Sequence, residues 1–285
     1  MRTYLDCFPC FLSQALRAAR MATDDTEKIK SVLDDVGLML STIPLSSSPP
    51  ESGRRIYQKV SEITGNPDPY QALKQKYTRE ALAMYPVLKR RVAAAEDRLM
   101  TAIRIAIAGN VIDFGPGQPF DLNAIVEETL RKDFAICDAK AFRDALNKAE
   151  SVLFIGDNAG ESVFDRLLIE ELNKPVRYAV RGKPIINDVT WDDAVAAGID
   201  RVADIVSSGS DAPGAILERC SPEFRAVYDL SPLIISKGQG NYEALSGTDG
   251  PVFFLLKTKC RVIADHAGVT EGDIVLKQAK GAEGG

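Results

Sequence analysis

The sequence predicts an α/β protein, with an all-helical amino-terminal part followed by a three-layer α/β/α domain built on a mostly parallel sheet. Three observations carry that prediction. Residues 1–110 place apolar side chains at helical spacing almost throughout. From residue 150, short β-rich runs alternate with amphipathic segments, the pattern of a parallel sheet covered by helices. Four of those runs end in polar, glycine-bearing loops, which a parallel sheet gathers on one edge. The expected division is a helical domain over 1–110 and an α/β/α domain over 111–285 that carries the active site.

In chain order, Phe11, Leu12, Ala15, Leu16 and Ala19 share a helical face, as do Ile29, Val32, Leu33, Val36 and Leu40. Ser48-Pro49 reads as a cap and first helical position, with Ile56, Val60 and Ile63 as the buried stripe and Gly65-Asn66-Pro67 as the stop. Asp68-Pro69 repeats the cap signal before a helix carrying Leu73 and Tyr77. Pro86 removes a helical hydrogen bond, so a kink or break is expected near Tyr85, then a last helix over 87–106. Residues 112–117 read as a tight turn that ends the helical part. Asp121 reads as the cap of a helix containing Ile125, Val126 and Leu130, and Asp138 as that of one containing Phe142 and Leu146. Asn110 and Asp113 stand at the junction, where each either caps a helix or reaches an inter-domain cleft that binds substrate. The predicted strands are 152–155, 176–180, 203–206, 233–235 and 252–256.

Composition narrows the function. A chain of 285 residues buries roughly 75% of its unfolded surface and needs no disulfide to fold. A net charge of −5 and a pI near 5.2 argue against a nucleic-acid partner. No apolar run reaches the roughly 18 residues of a membrane span and the start is not signal-like, so a cytoplasmic protein without a membrane partner is expected. Five cysteines, an odd number, fit a reducing compartment. The single histidine, His266, excludes a site built on two or three imidazoles and reads as a surface or packing residue. Cys7-Phe8-Pro9-Cys10 has the spacing of a metal-binding or redox pair, although Cys137, Cys220 and Cys260 are isolated and incidental thiols are the plainer reading.

The candidate chemistry lies in the strand-end loops. Asp157 and Asn158 follow the first strand between Gly156 and Gly160, and only a loop turns two adjacent side chains to one ligand. Their oxygens suit a hard cation, Mg²⁺ or Mn²⁺, and Asp188 offers a second carboxylate from the next loop. Lys237, flanked by Gly238, is the natural charge for a phosphate dianion. Ser207, Ser208 and Gly209 open a loop of hydroxyl and backbone donors for its oxygens. Against this stands the plain turn composition of Gly-Asp-Asn. Thr190 and Asp193 read as a capping box.

Gly156-Asp157-Asn158-Ala159-Gly160-Glu161, Asn187-Asp188-Val189-Thr190 and Lys237-Gly238-Gln239-Gly240-Asn241-Tyr242-Glu243 together resemble the damage-control phosphatases. The resemblance extends over nearly the whole chain, including Asn66-Pro67-Asp68-Pro69-Tyr70 and residues 108–115. Cys7-x-x-Cys10 is similar to the stand-alone prokaryotic branch. The resemblance implies Mg²⁺, Mn²⁺, Co²⁺ or Ni²⁺ held at Asp157, Asn158 and Asp188, and Lys237 and Asn241 in the substrate site. It implies hydrolysis of small phosphorylated metabolites; Asp157, Asp188 and Lys237 are the expected catalytic set, the metal orienting an attacking water while Lys237 stabilises charge on the phosphoryl oxygens. Rival readings are a Rossmann-like methyltransferase using S-adenosylmethionine and a non-catalytic metabolite-binding protein. The physiological substrate and oligomeric state are left open by the sequence.

Overall fold

The computed structural model describes residues 1–110 and 122–279. Helices α1 (Cys7–Ala22), α2 (Thr26–Leu40) and α3 (Pro49–Thr64) pack around a core of their own that includes Phe11, Ala15, Val32, Val36, Ile56 and Val60. Asp25 caps α2 through the amides of Glu27 and Lys28, and Ser48 caps α3 ahead of Pro49. Gly65 closes α3 in the left-handed region.

Helices α4 (Gln71–Ala94) and α5 (Arg98–Gly109) do not join that core. Their Ala81, Leu88, Val92, Ile103 and Ile107 pack with the sheet and with α8 (Ser162–Leu172). Three helix boundaries differ from the sequence reading. Asp68 caps nothing; its carboxylate lies 2.9 Å from Lys74 Nζ and α4 begins at Gln71. Pro86 does not break α4; Tyr85 and Lys89, on either side of it, both hold Glu170 of α8, at 2.5 and 3.0 Å. The helix expected over 87–106 is therefore two pieces, and Asp97 starts the second by accepting the Met100 amide at 3.2 Å.

Helices α6 (Leu122–Arg131) and α7 (Ala139–Lys148) stand where expected. Asp138 precedes α7, but its carboxylate accepts the Gln278 amide at 2.7 Å instead of capping the helix. Asp113, Asp121 and the turn over 112–117 lie outside the described residues.

The sheet has seven strands: β1 (Phe134–Cys137), β2 (Val152–Ile155), β3 (Val176–Val180), β4 (Asp204–Ser207), β5 (Ile234–Lys237), β6 (Val252–Lys257) and β7 (Ile274–Gln278). Their order is β1-β7-β6-β5-β2-β3-β4. Strands β2 to β6 are parallel; β7 runs antiparallel to β6, and β1 follows β7. The two strands absent from the sequence reading are thus the pair running the other way.

Along β2, Val152 and Phe154 enter the core shared with α4, α5, α7, α8 and α9 (Trp191–Ala197), while Leu153 and Ile155 enter the opposite one. That second core is covered by α10 (Pro222–Leu230), α11 (Gly238–Leu245) and α12 (Arg261–Ala267). Burial on both faces explains the unbroken apolar run of β2. From β2 the chain builds outward through β3 and β4, then returns to β5 on its other side. The order therefore reverses between β2 and β5, where open α/β sheets bind ligands beyond the carboxyl ends of their strands. Among the described residues no helix is long and apolar enough to cross a membrane.

At the exit of β2, Gly156 lies against the fully buried Tyr178, whose ring stacks on Phe154 at 5.4 Å and whose hydroxyl donates to Asp165 at 2.8 Å. A Cβ at 156 would stand 2.4 Å from that hydroxyl, which is pinned. Gly156→Ala should lower the unfolding free energy by about 1–3 kcal/mol in urea denaturation, the usual cost of overpacking. An unchanged midpoint would contradict this packing.

Candidate active site

The loop leaving β2 is held by the loop that follows β3. Val189 N–H donates to the Asp157 carbonyl at 2.8 Å, Ala159 N–H donates to the Asn187 carbonyl at 2.9 Å, and Asn158 and Asp188 form an isolated antiparallel bridge. These bonds bring Asp157, Asn158 and Asp188 together on the wall of one cavity of about 970 Å³. From the β5 side, Gly238 turns at φ +77° directly against Asp157, and a Cβ there would fall 1.8 Å from Asp157 Oδ2. Only glycine permits that approach.

Beneath the cavity lies a buried polar network. Asn110, at the end of α5, donates from Nδ2 to Asp157 Oδ2 at 3.0 Å and to Glu161 Oε2 at 3.2 Å. Asn158 Nδ2 donates to the same two oxygens, each at 2.9 Å. Both amide hydrogens of Asn158 are thereby used, which leaves its carbonyl oxygen as the group able to accept a cation. Asn110 Oδ1 is buried without a hydrogen-bond partner. Arg181, the residue after β3, is buried and donates from Nε to Asp188 Oδ2 at 2.7 Å and from Nη2 to Asn241 Oδ1 at 3.0 Å.

The remaining site residues read from the sequence are placed otherwise. Lys237 is fully buried and does not line the cavity. Its ammonium donates to Glu161 Oε1 at 2.5 Å, to Asp165 Oδ1, and to the Ala106 carbonyl at 2.9 Å, which uses all three hydrogens. Its charge is therefore committed to carboxylates and not offered to a substrate. Asn241, also fully buried, ties loops together: Nδ2 donates to the carbonyls of Gly156 and Lys237 at 3.0 and 2.8 Å, while Oδ1 accepts from Arg181 and from Ala215 N–H. Ser207, Ser208 and Gly209 are not on the cavity wall. The Ser207 hydroxyl accepts the Gly209 amide at 3.2 Å and that of Ser208 the Ser210 amide at 3.3 Å, so the loop binds itself. His266, read as a surface or packing residue, pairs through Nδ1 with the Tyr242 hydroxyl at 3.0 Å and also lines the cavity.

Glu161, Asp165 and Arg181 were not read as site residues, yet they carry the network. Four carboxylates share the network with two cations: Lys237 pairs with Glu161 and Asp165, Arg181 pairs with Asp188, and Asp157 accepts from the carboxamides of Asn110 and Asn158, a formal excess of two negative charges among these groups. Burial pushes the Asp157 carboxyl well above its usual range, and the neighbouring Glu161 and Asp188 push it further. Lys259, on the cavity wall, opposes that rise. Cys7, Cys10 and Cys260 share the wall as free thiols. Among the described residues no group of three or more His, Cys, Asp or Glu side chains is set to hold a metal. A cation at this place would therefore lean on the carboxamide oxygens of Asn158 and Asn110 beside the carboxylates. The donor chemistry, the orphaned Asn110 oxygen and the uncompensated charge all fit a hard divalent ion.

Around Lys237, one ammonium faces two carboxylates. The Asp165 carboxyl is pushed up to about 7 by burial, with Lys237 pulling it down and Glu161 adding to the rise. An unfolded aspartate titrates near about 4, so between about pH 4 and 7 the fold holds a proton that the unfolded chain has released. Stability from this group is full below that window and is lost as pH rises through it. Asp165→Asn should flatten the fall in urea midpoint between those pH values in chelator-treated protein. An unaltered slope would remove Asp165 as its source.

Comparison with known proteins places this geometry in a family. Residues 3–275 match the family described as the damage-control phosphatase ARMT1-like domain. The chain is 33% identical to a damage-control phosphatase of Pyrococcus horikoshii, covering 98% of this chain and 99% of that protein. It is also 33% identical to a damage-control phosphatase of Archaeoglobus fulgidus, over 95% and 97% of the two chains. An uncharacterised protein of Methanocaldococcus jannaschii is 37% identical over 95% of this chain and 93% of its own. The crystal structure of a DUF89 family protein from P. horikoshii superposes with a TM-score of 0.90 at 32% identity, covering 98% of this chain and all of that one. The relatives' names support a phosphatase role. The chain belongs to the ARMT1-like damage-control phosphatase family.

Proposed function

We propose that this protein is a divalent-metal-dependent phosphoric monoester hydrolase acting on small phosphorylated metabolites. One observation carries the reading. Two carboxylates, Asp157 and Asp188, stand with Asn158 on the wall of a substrate-sized cavity, at the point where the strand order reverses. Cavities for small molecules run from about 300 to 1,000 Å³, and this one is at the upper end.

Asp157, Asn158 and Asp188, all on the cavity wall, would hold the ion, with Asn110 buried behind them on Asp157. When bound, Mg²⁺, Mn²⁺, Co²⁺ or Ni²⁺ supplies a Lewis acid for a phosphoryl oxygen and a site at which water becomes a better nucleophile. The chain's own part is preorganisation. Glu161 fixes both carboxamides through their N–H groups, Lys237 fixes Glu161, and Arg181 fixes Asp188. Attack by water is favoured over attack by Asp157, because Ala159 stands where an Asp-x-Asp phosphatase loop carries its second carboxylate. The methyltransferase reading loses its ground: the residue after β3 is Arg181, buried on Asp188, where a ribose-binding acid is required.

The test is hydrolysis of p-nitrophenyl phosphate with each of the four metals and with chelator. Activity should need the ion and fall by about 10²-fold or more in Asp157→Ala, the loss typical of removing an electrostatic group from a reacting site. The same variant should lose the rise in melting temperature that Mn²⁺ gives the wild type. Turnover that survives chelation, or survives Asp157→Ala, would overturn the proposal. Phosphate-ester binding without turnover under any metal would favour the binding-protein reading.

A further inference from the structure

Three of the five cysteines meet on the cavity wall, and the phosphatase reading gives none of them a task. Cys7 and Cys10 come from the start of α1, in the amino-terminal helical part. Cys260 comes from the loop after β6, directly before α12. All three are free thiols, close enough that charge on Cys10 is felt at both Cys7 and Cys260. Among the described residues no group of three such side chains is set to hold a metal, so a shared ion does not account for the grouping. Cys137 is exposed, Cys220 is buried, and neither lines the cavity.

Cys7 and Cys10 are placed to bond to each other. In an α-helix, residues three apart have Cα atoms about 5 Å apart, inside the roughly 4.4–6.8 Å span of disulfides. Cys7 is the first residue of α1, and the amides of Cys7 and Phe8 are already met by the carbonyls of Tyr4 and Leu5, at 3.0 and 3.1 Å. Pro9 stands in the first turn, where a helix needs no N–H, and its fixed φ holds Cys10 in helical register with Cys7. Cys10 is exposed and Cys7 half-buried, so Cys10 is the thiol that a reagent in solution meets first. Burial pushes the Cys7 thiol up, which weakens it as the first attacker.

We propose that Cys7 and Cys10 are a site of reversible oxidation, forming a disulfide by exchange with a low-molecular-weight disulfide, and that this bond reshapes the cavity wall. The Cys10 thiolate attacks one sulfur of the small disulfide and expels its other half as a thiolate. The Cys7 thiolate then attacks the Cys10 sulfur and expels the second half. One S–S bond breaks and one forms. Two protein thiols are oxidised, the small disulfide is reduced to two thiols, and the protons of Cys7 and Cys10 pass through water to the departing thiolates. In a reducing compartment such a bond is transient, as a regulatory one is. Its effect on the wall runs through Gln14. Gln14 Nε2 donates to Cys10 Sγ at 3.1 Å and Oε1 accepts the Tyr57 hydroxyl at 2.9 Å, which ties α1 to α3, and all three residues line the cavity. Drawing Cys10 Sγ toward Cys7 takes it from Gln14 and loosens that tie. The bond itself stands apart from the phosphatase reading; its effect on turnover rests on that reading.

The experiment equilibrates Mn²⁺-supplemented protein in buffers of reduced and oxidised glutathione, traps remaining thiols by alkylation and maps them by peptide mass. The wild type should lose two of its five thiols as a Cys7–Cys10 disulfide, while the isolated, exposed Cys137 stays a thiol in the same buffer. Dithiothreitol should restore both. KM for p-nitrophenyl phosphate should rise about two- to tenfold in the oxidised protein, the worth of one net hydrogen bond, and return on reduction. Cys10→Ser should give the same KM in both buffers, and Cys260→Ser should still form the bond. Five thiols surviving in the most oxidising buffer, or a wild-type bond from Cys260 to either partner, would overturn the oxidation site. A Cys7–Cys10 bond that leaves KM unchanged would overturn its effect on the wall. If the bond forms but neither the oxidised nor the reduced wild type hydrolyses the ester, the phosphatase reading falls and the oxidation site stands.

Discussion

An ammonium with no access to water must be met by carboxylates, and the fold is arranged around one such group. Lys237 sits at the end of β5, below the cavity, and is met by Glu161 and Asp165 of the helix-start segment after β2. Removing one partner of a buried ion cluster costs about 3–5 kcal/mol, because the charge left behind is unpaired. The consequence reaches upward. Glu161 uses one oxygen on Lys237 and the other on the amides of Asn110 and Asn158, which in turn meet Asp157. The orientation of Asp157 and Asn158 on the cavity wall is thus decided by a charge that never meets solvent.

The topology makes that arrangement possible. Residues as far apart as Asn110, Asp157, Asp188 and Lys237 meet because β2 and β5 are neighbours at the reversal of strand order. Helix α5 belongs to the sheet's core, which brings Asn110 under the same edge. Helices α1 to α3 form a separate core and close the cavity from the far side through Tyr4, Cys7, Tyr57 and their neighbours. The layers therefore divide the labour: the sheet edge carries the charged groups, and the amino-terminal helices supply the opposite wall.

The five parallel strands and the assembly of Asp157, Asn158 and Asp188 were legible because they follow from local rules: apolar runs, and polar residues at turns. What was not legible depends on burial. Lys237 resembled a loop residue because β5 was read as ending at 235; the strand continues through 237, and its period of two sends Lys237 to the same side as Ile235, toward α5 and α8. Glu161, which the sequence shows only as the last residue of the Gly-Asp-Asn motif, is the hub. A signal was present: Glu161 and Asp165 are acids four apart at the start of a mostly buried helix, a spacing that puts them on one face. Arg181 carried a similar signal as a charge directly after a fully apolar strand end. Strand β1 was missed because it is half-exposed in alternation, and β7 because its apolar run is only Ile274-Val275-Leu276 before Lys277 and Gln278.

The central claim is that the buried network leaves a negative excess whose complement is one divalent cation. Equilibrium titration of the chelator-treated protein with Mn²⁺, followed by the loss of the free-ion electron paramagnetic resonance signal near neutral pH, tests it most directly. The account predicts saturable uptake of a single ion per chain, abolished in Asp188→Asn, which keeps the shape and removes the charge. Uptake unaffected by Asp188→Asn, or no saturable uptake by a protein that hydrolyses phosphate esters, would contradict it.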